Sequence, residues 1–344
     1  MKRLVAFVSI VLISGSLVAA GTSPAGATFP GTNGDIAYLT QDGVRAIRPD
    51  GTGDHVVAAS AQFGIWDAQY TPDGSSIVFV EVTSHGSRIV RQDLATGDRA
   101  VILRRSDLPG RYVWSLALSP DGFSIVFCSV ARSAHLYTMN MDGSGLGVVP
   151  STKGFCFPDW GVDDRIVASE GGFGRGGSQA VVTMDPDGSD QLSIATFPAP
   201  KRIWGVVFIL VPSWAPDGSA VAFTAQRHRI DPDLWSVNAD GSGLHKLTDT
   251  RGVSEAGPVY SPDGTSIAFD RLDADLVGSD IWAMGADGAS PTRITDRARG
   301  EYVSSWQPTS GLTGPGPYAA EPAAERRSRG GSLPPGYPWL FVRR

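Results

Sequence analysis

Charge is scarce in this chain of 344 residues: Asp, Glu, Lys and Arg make up 19%, below the usual quarter or so. There are two cysteines and five histidines. The Gly-x-Ser-x-Gly elbow of a serine hydrolase does not occur. Neither do His-Glu-x-x-His or the phosphate-binding Gly-x-x-x-x-Gly-Lys-Ser/Thr. Gly172-Phe173-Gly174-Arg175-Gly176-Gly177 fits the dinucleotide spacing, but no helix follows to receive a phosphate, so it reads as a flexible loop. After residue 27 no apolar run is long enough to cross a bilayer. What is abundant is turn chemistry. The 42 Gly and 24 Pro make up about a fifth of the chain, beside 42% apolar residues. That composition argues against disorder, collagen and coiled coil, and for a turn-rich β globule.

Both ends differ from the middle. Lys2 and Arg3 precede an apolar stretch from Leu4 to Ile13, and small residues lead to Ala25-Gly26-Ala27. This is the pattern of a secretory signal peptide over 1–27. No cysteine lies near the cleavage point to take a lipid anchor. Residues 311–344 are rich in Gly, Pro, Ala and Arg and carry no repeat, which reads as a disordered tail. The formal charge is −6; with Lys2, Arg3 and a tail of five Arg against two Glu set aside, 28–310 carries −11. A body of that sign repels phosphate backbones, so nucleic acid is excluded as a partner. Export allows Cys128 and Cys156 to form a disulfide, and buried free thiols are equally compatible with the sequence.

The middle repeats itself. Tyr70-Thr71-Pro72-Asp73-Gly74-Ser75-Ser76-Ile77-Val78-Phe79 returns around Asp121, Asp217 and Asp263, and in degraded form as Trp160-Gly161-Val162-Asp163-Asp164-Arg165-Ile166-Val167. The steps between the aspartates are 48, 42, 54 and 46 residues. A second element, such as Asp142-Gly143-Ser144-Gly145 or Asp240-Gly241-Ser242-Gly243, follows each copy. Pro presets the first central position of a turn, Gly accepts a positive φ, and Asp bonds its own downstream backbone. Both elements are therefore hairpin turns, and each repeat holds four short strands, for example Leu234–Asn238 as a third and Leu244–Thr248 as a fourth. About six such units give an all-β, six-bladed β-propeller of four-stranded antiparallel blades. A step of 46 from Asp263 lands on Thr309, so Ser305-Trp306-Gln307-Pro308 supplies the inner strand of a blade completed by Gly34–Leu39, Val44–Pro49 and His55–Ala59. The ring then closes through both chain ends. The bulky residues three before the turn aspartates (Tyr70, Leu118, Trp160, Trp214, Tyr260) pack between blades.

The Ser-Pro-Asp-Gly-x-x-Ile-x-Phe copies and the Asp-Gly-Ser-Gly turns resemble the TolB-like, WD-like propeller repeat over about 30–310. The resemblance implies an exported six-bladed propeller. The family's namesake carries a further domain ahead of its propeller; only a few residues separate Ala27 from the first strand, so a propeller without that domain is expected. Peptidase relatives carry a hydrolase domain after the propeller, for which 311–344 is too short.

The face bearing the connections between blades is the candidate functional surface. Inner strands begin there with Trp66, Trp114, Cys156, Leu210, Ala256 and Tyr302, beside Asp67, Arg111, Lys201, Arg202, Arg251, Glu255 and Glu301. Aromatic and Arg side chains beside charges suit a protein or peptide contact, and the long step of 54 places an insertion at Lys201–Val211. The expected partner-binding residues are Trp66, Asp67, Arg111, Trp114, Lys201, Arg251, Glu255 and Glu301. Packing for the Trp residues and a solvated rim for the charges is the plain alternative. No cofactor is expected. His85, His135 and His228 lie on loops of three blades without a common phase, which leaves a metal-assisted lyase or hydrolase acting on saccharide as the alternative function. Asp270, Asp273, Asp275 and Asp280, or Asp185, Asp187 and Asp190, have oxygen ligands at short spacing for calcium, against ordinary turn carboxylates. The first expectation is a secreted or periplasmic, monomeric, non-enzymatic scaffold that binds a protein or peptide.

Overall fold

The computed structural model describes residues 29–60, 64–171, 178–197, 211–225, 231–272, 278–296 and 300–309. The expected leader, the tail, the glycine-rich loop 172–177, Lys201, Arg202, His228, Asp273 and Asp275 lie outside them. Six four-stranded antiparallel sheets account for the described chain, and the single helical element is the 3-10 turn Arg105–Asp107.

Blade 1 runs Ile65–Tyr70, Ser76–Thr83, Gly86–Asp93, Arg99–Leu103. Blade 2 runs Val113–Leu118, Ser124–Val130, Ala134–Asn140, Gly147–Val148. Blade 3 runs Phe155–Trp160, Ile166–Glu170, Gln179–Met184, Leu192–Phe197. Blade 4 runs Pro212–Trp214, Ala220–Ala225, Asp233–Asn238, His245–Lys246. Blade 5 runs Ser254–Tyr260, Ser266–Leu272, Ser279–Gly285, Thr292–Arg293. Blade 6 joins Tyr302–Pro308 to Asn33–Thr40, Gly43–Ile47 and His55–Ala59, so the chain ends meet in one sheet as the repeat spacing requires. The first strands pack on one another from blade to blade all the way round, which makes them the inner wall of a closed ring. Several fourth strands shrink to two residues, as at His245–Lys246, where five had been expected. These are outer edges, and a short edge offers little backbone to a foreign strand.

The turn chemistry is uniform. Asp73, Asp121, Asp217 and Asp263 each accept the N–H two residues on, at 2.9–3.0 Å. Gly74 has φ +67°, and a Cβ there would lie 2.1 Å from the carbonyl oxygen of Pro308 in the neighbouring blade. In the degraded copy Asp164 stands where the others have glycine and holds φ 56°. Its carboxylate takes the Trp160 indole N–H at 2.8 Å. The bulky positions are all buried and lie between blades. Trp214 shares an apolar cluster with Val167 and Val181 of blade 3, and Trp306 shares one with Val259 and Ile281 of blade 5.

An inner strand is the free edge of its sheet, so its backbone needs partners from elsewhere. Pro158, Pro212 and Pro258 fit there because an edge position can spare an N–H. Several of the N–H groups on these edges are met by side chains of the preceding blade. Asp67 takes Leu116 N–H at 2.7 Å and Gln69 takes Leu118 N–H at 3.1 Å. Asp159 takes Trp214 N–H at 2.6 Å, Thr224 takes Gly257 N–H at 3.0 Å, and Asp270 takes Val303 N–H at 2.6 Å. Ser304 accepts from Ala68 N–H at 2.9 Å across the closing junction. Between blades 2 and 3 the link is covalent: Cys128 and Cys156 form a disulfide, with Cα atoms 5.0 Å apart. Cys128, Thr224 and Asp270 each stand seven residues after a turn aspartate. The bridge therefore occupies the repeat position that in blades 4 and 5 supplies a hydrogen-bond acceptor.

Burying carboxylates in these junctions has a titration consequence. Burial pushes Asp67 well above the usual carboxylate range and Asp159 to about 7, against the opposing pull of the N–H groups each accepts. An acid whose folded pKa is raised contributes stability that is complete below its unfolded value and fades as pH rises through the folded value. For Asp159 that window runs from about pH 4 to about pH 7 and is worth up to roughly 4 kcal/mol. The melting temperature should therefore fall between about pH 4 and pH 7, and Asp159→Asn should flatten the fall. An equal drop in both proteins, followed by circular dichroism, would show that Asp159 is not the group titrating.

Candidate functional site

The Pro-Asp-Gly and Asp-Gly-Ser-Gly turns, and their degraded counterparts, lie at one end of the ring. The connections between blades and the loops between second and third strands lie at the other. At this second end, on blades 1 and 2, the inner strands open with Trp66 and Trp114, both half-buried. Their rings approach to 6.2 Å between centroids. Tyr112, from the connection between the two blades, packs on Trp66 at 5.1 Å, and the Arg111 guanidinium sits 5.3 Å above the Tyr112 ring. The local sequence explains the arrangement. Ser87 donates its N–H to Arg111 O and its hydroxyl takes Val113 N–H, while Ser129 bonds Tyr112 O. The backbone from Arg111 to Val113 is thus tied to blades 1 and 2, and the part-buried Trp66 and Trp114 rings pack against the core beneath it. Such a cluster of part-exposed aromatic rings, with a guanidinium over one of them, is suited to recognition by contact.

The other residues singled out in the sequence fall into two groups. Arg251 is exposed at the same end, on the connection between blades 4 and 5. Asp67, Glu255 and Glu301 are buried beneath the face rather than on it. Asp67 holds the neighbouring inner strand, as described above. Glu255 accepts from the Thr250 hydroxyl at 3.1 Å, with Arg271 3.8 Å away, and burial raises its pKa. Glu301 donates its N–H to Ser279 O, and its own carbonyl accepts the Ser279 hydroxyl. Lys201 lies outside the described residues. Tyr112 went unnoticed in the sequence, although it sits between two residues that were named.

Among the described residues no three His, Cys, Asp or Glu side chains gather in a metal-binding group. His85 bonds the Ser84 hydroxyl at 2.8 Å and His135 the Ser133 hydroxyl at 2.9 Å, each within its own loop. The acidic stretches have other occupations. Arg165 bridges Asp185 and Asp190 at 2.9 and 2.8 Å, Asp270 holds Val303, and Asp280 pairs with Arg293 at 2.7 Å. No described helix is long and apolar enough to cross a membrane.

No family model matches the chain. Among curated proteins, the Tol-Pal system protein TolB of Anaeromyxobacter dehalogenans is 38% identical over 130 residues, which are 38% of this chain and 27% of that protein. The match thus spans about a quarter of that relative's length. Among solved structures, TolB from Acinetobacter baumannii superposes with a TM-score of 0.65 at 19% identity, over 80% of this chain and 67% of that one. A chain of a nidogen/laminin complex superposes with a TM-score of 0.64 at 10% identity, over 80% and 99%. The propeller is TolB-like in its repeat and in its ring of six blades.

Proposed function

We propose that this chain is an exported propeller scaffold that binds a protein or peptide in the cell envelope or outside the cell, using the connection face of blades 1 and 2. The observation that carries the reading is the half-buried cluster of Trp66, Tyr112 and Trp114, with Arg111 over the Tyr112 ring and the connection between blades 1 and 2 tied by Ser87 and Ser129. The Tol-Pal name of the sequence relatives supports an envelope setting. In this reading 1–27 is a cleaved leader, 28–310 is the binding module, and 311–344 is a tail outside the ring; the molecule is a monomer.

The test is capture from envelope and culture fractions on immobilised 28–344, beside a folded variant carrying Trp66→Ala, Arg111→Ala and Trp114→Ala. A partner held by the first and lost by the second is the expected result. Removing central aromatic and Arg contacts typically costs about 2 kcal/mol or more each, enough to empty the resin. A partner indifferent to the three changes would move the site elsewhere.

A further inference from the structure

Charge is distributed unevenly over the ring. The turn end carries an aspartate in nearly every hairpin, and 28–310 as a whole is −11. On the connection face of blades 1 and 2 the balance reverses. Arg104, Arg105, Arg111, Arg132 and Lys153 stand there against Asp107 and Glu170. Hydrogen bonds place their loops side by side: Arg105 Nε reaches His85 O at 3.0 Å, Ser129 bonds Tyr112 O, and Gly154 N–H bonds Ala134 O. Arg104, Arg111, Arg132 and Lys153 are exposed. None of the five cations is ion-paired among the described residues. Elsewhere among the described residues many cations are paired, among them Arg45 with Asp54, Arg88 with Glu81, Arg165 with Asp185 and Asp190, and Lys246 with Asp233 and Asp249, and the unpaired Arg48, Arg91 and Arg251 do not gather in one sector.

We infer that this sector receives an acidic peptide segment of the partner, with apolar side chains laid on Trp66, Tyr112 and Trp114 and carboxylates on the surrounding guanidiniums. The inference rests on the binding face proposed above and adds the chemistry of its occupant. A guanidinium stacked on a ring keeps its edge donors free for a carboxylate. The acidic body repels an acidic chain everywhere else, so the field steers it to this sector.

The probe is a fluorescent glutamate–tyrosine copolymer, followed by anisotropy on 28–344, with a lysine–tyrosine copolymer and phosphatidylglycerol vesicles as comparisons. The acidic copolymer should bind and the basic one should not. Arg111→Glu, Arg132→Glu and Lys153→Glu together should weaken binding at least about tenfold, as should raising salt from about 0.05 to 0.5 M. Trp66→Ala should weaken it as well. Failure of the acidic copolymer to bind, or binding that ignores the charge reversals, would overturn the inference. So would vesicles bound with the same sensitivity, which would point to an anionic surface instead. If a captured partner is lost on Trp66→Ala and Trp114→Ala yet ignores the charge reversals, the acidic class fails and the face stands. If it ignores both sets, both fail.

Discussion

Deleting residues 300–309 should leave a chain with no cooperative melt. The strand Tyr302–Pro308 is the inner wall of blade 6, and three structures depend on it at once. Val303 and Trp306 are buried against blade 5, with the Trp306 indole N–H on Gly34 O at 3.0 Å. Ser304 and Ser305 accept the inner-strand N–H groups of Ala68 and Tyr70 in blade 1. Asp270 of blade 5 loses Val303 N–H and remains buried without it. Removing a buried tryptophan side chain alone costs about 3–5 kcal/mol, and a buried acceptor left unmade about 1–3 more. A domain's whole stability is about 5–15 kcal/mol. Opening the ring also bares the inner edges of blades 1 and 5. Calorimetry should show no sharp transition, while truncation after residue 310 leaves one. A deletion mutant melting sharply within a few degrees of the parent would contradict closure by this strand.

Replacing Cys128 and Cys156 together by Ala should cost about 3–4 kcal/mol, the loop entropy of a 28-residue separation. That corresponds to a fall in melting temperature of roughly 6–16 °C for a domain of this size. The repeat makes a sharper statement possible. At the junction of blades 4 and 5, Thr224 occupies the position of Cys128, Ala256 that of Cys156, and Thr224 holds Gly257 N–H. Cys128→Thr with Cys156→Ala copies that junction into blades 2 and 3. It should recover about 1 kcal/mol relative to the double Ala protein, the net worth of one hydrogen bond. Equal stability of parent and double Ala, or no gain from Thr over Ala at 128, would show that the bridge does not stand in for the repeat's hydrogen bond.

The ring was legible because its turns are chemically demanding. Pro before Asp-Gly can sit in few backbone arrangements, and four copies with a degraded fifth, at steps of 42 to 54 residues, leave little choice of architecture. Even the closing blade followed from the landing of the repeat on Thr309. The site was legible only in part. Trp66, Arg111 and Trp114 mark the inner-strand openings and do come together. Asp67, Glu255 and Glu301 stand at neighbouring positions in sequence but turn inward; Asp67 does so to satisfy the backbone of the neighbouring edge strand, and Glu255 to meet Thr250 and Arg271. Nothing in a linear pattern says which way such a residue turns. The pairing of Cys128 with Cys156 depends on how closely two blades approach, which spacing alone does not give. The cationic sector was open to reading, since each basic residue falls in a loop of known end, but only once loops of different blades were superimposed by face.

The most direct test of the account is capture with one variant for each end of the ring. Trp66→Ala, Arg111→Ala and Trp114→Ala empty the connection face. Phe123→Ala and Leu244→Ala remove exposed apolar side chains beside the turns at the other end. With both variants folded, the partner should be lost from the first and kept by the second. A partner kept by the first and lost from the second would place recognition on the aspartate turns and contradict the account.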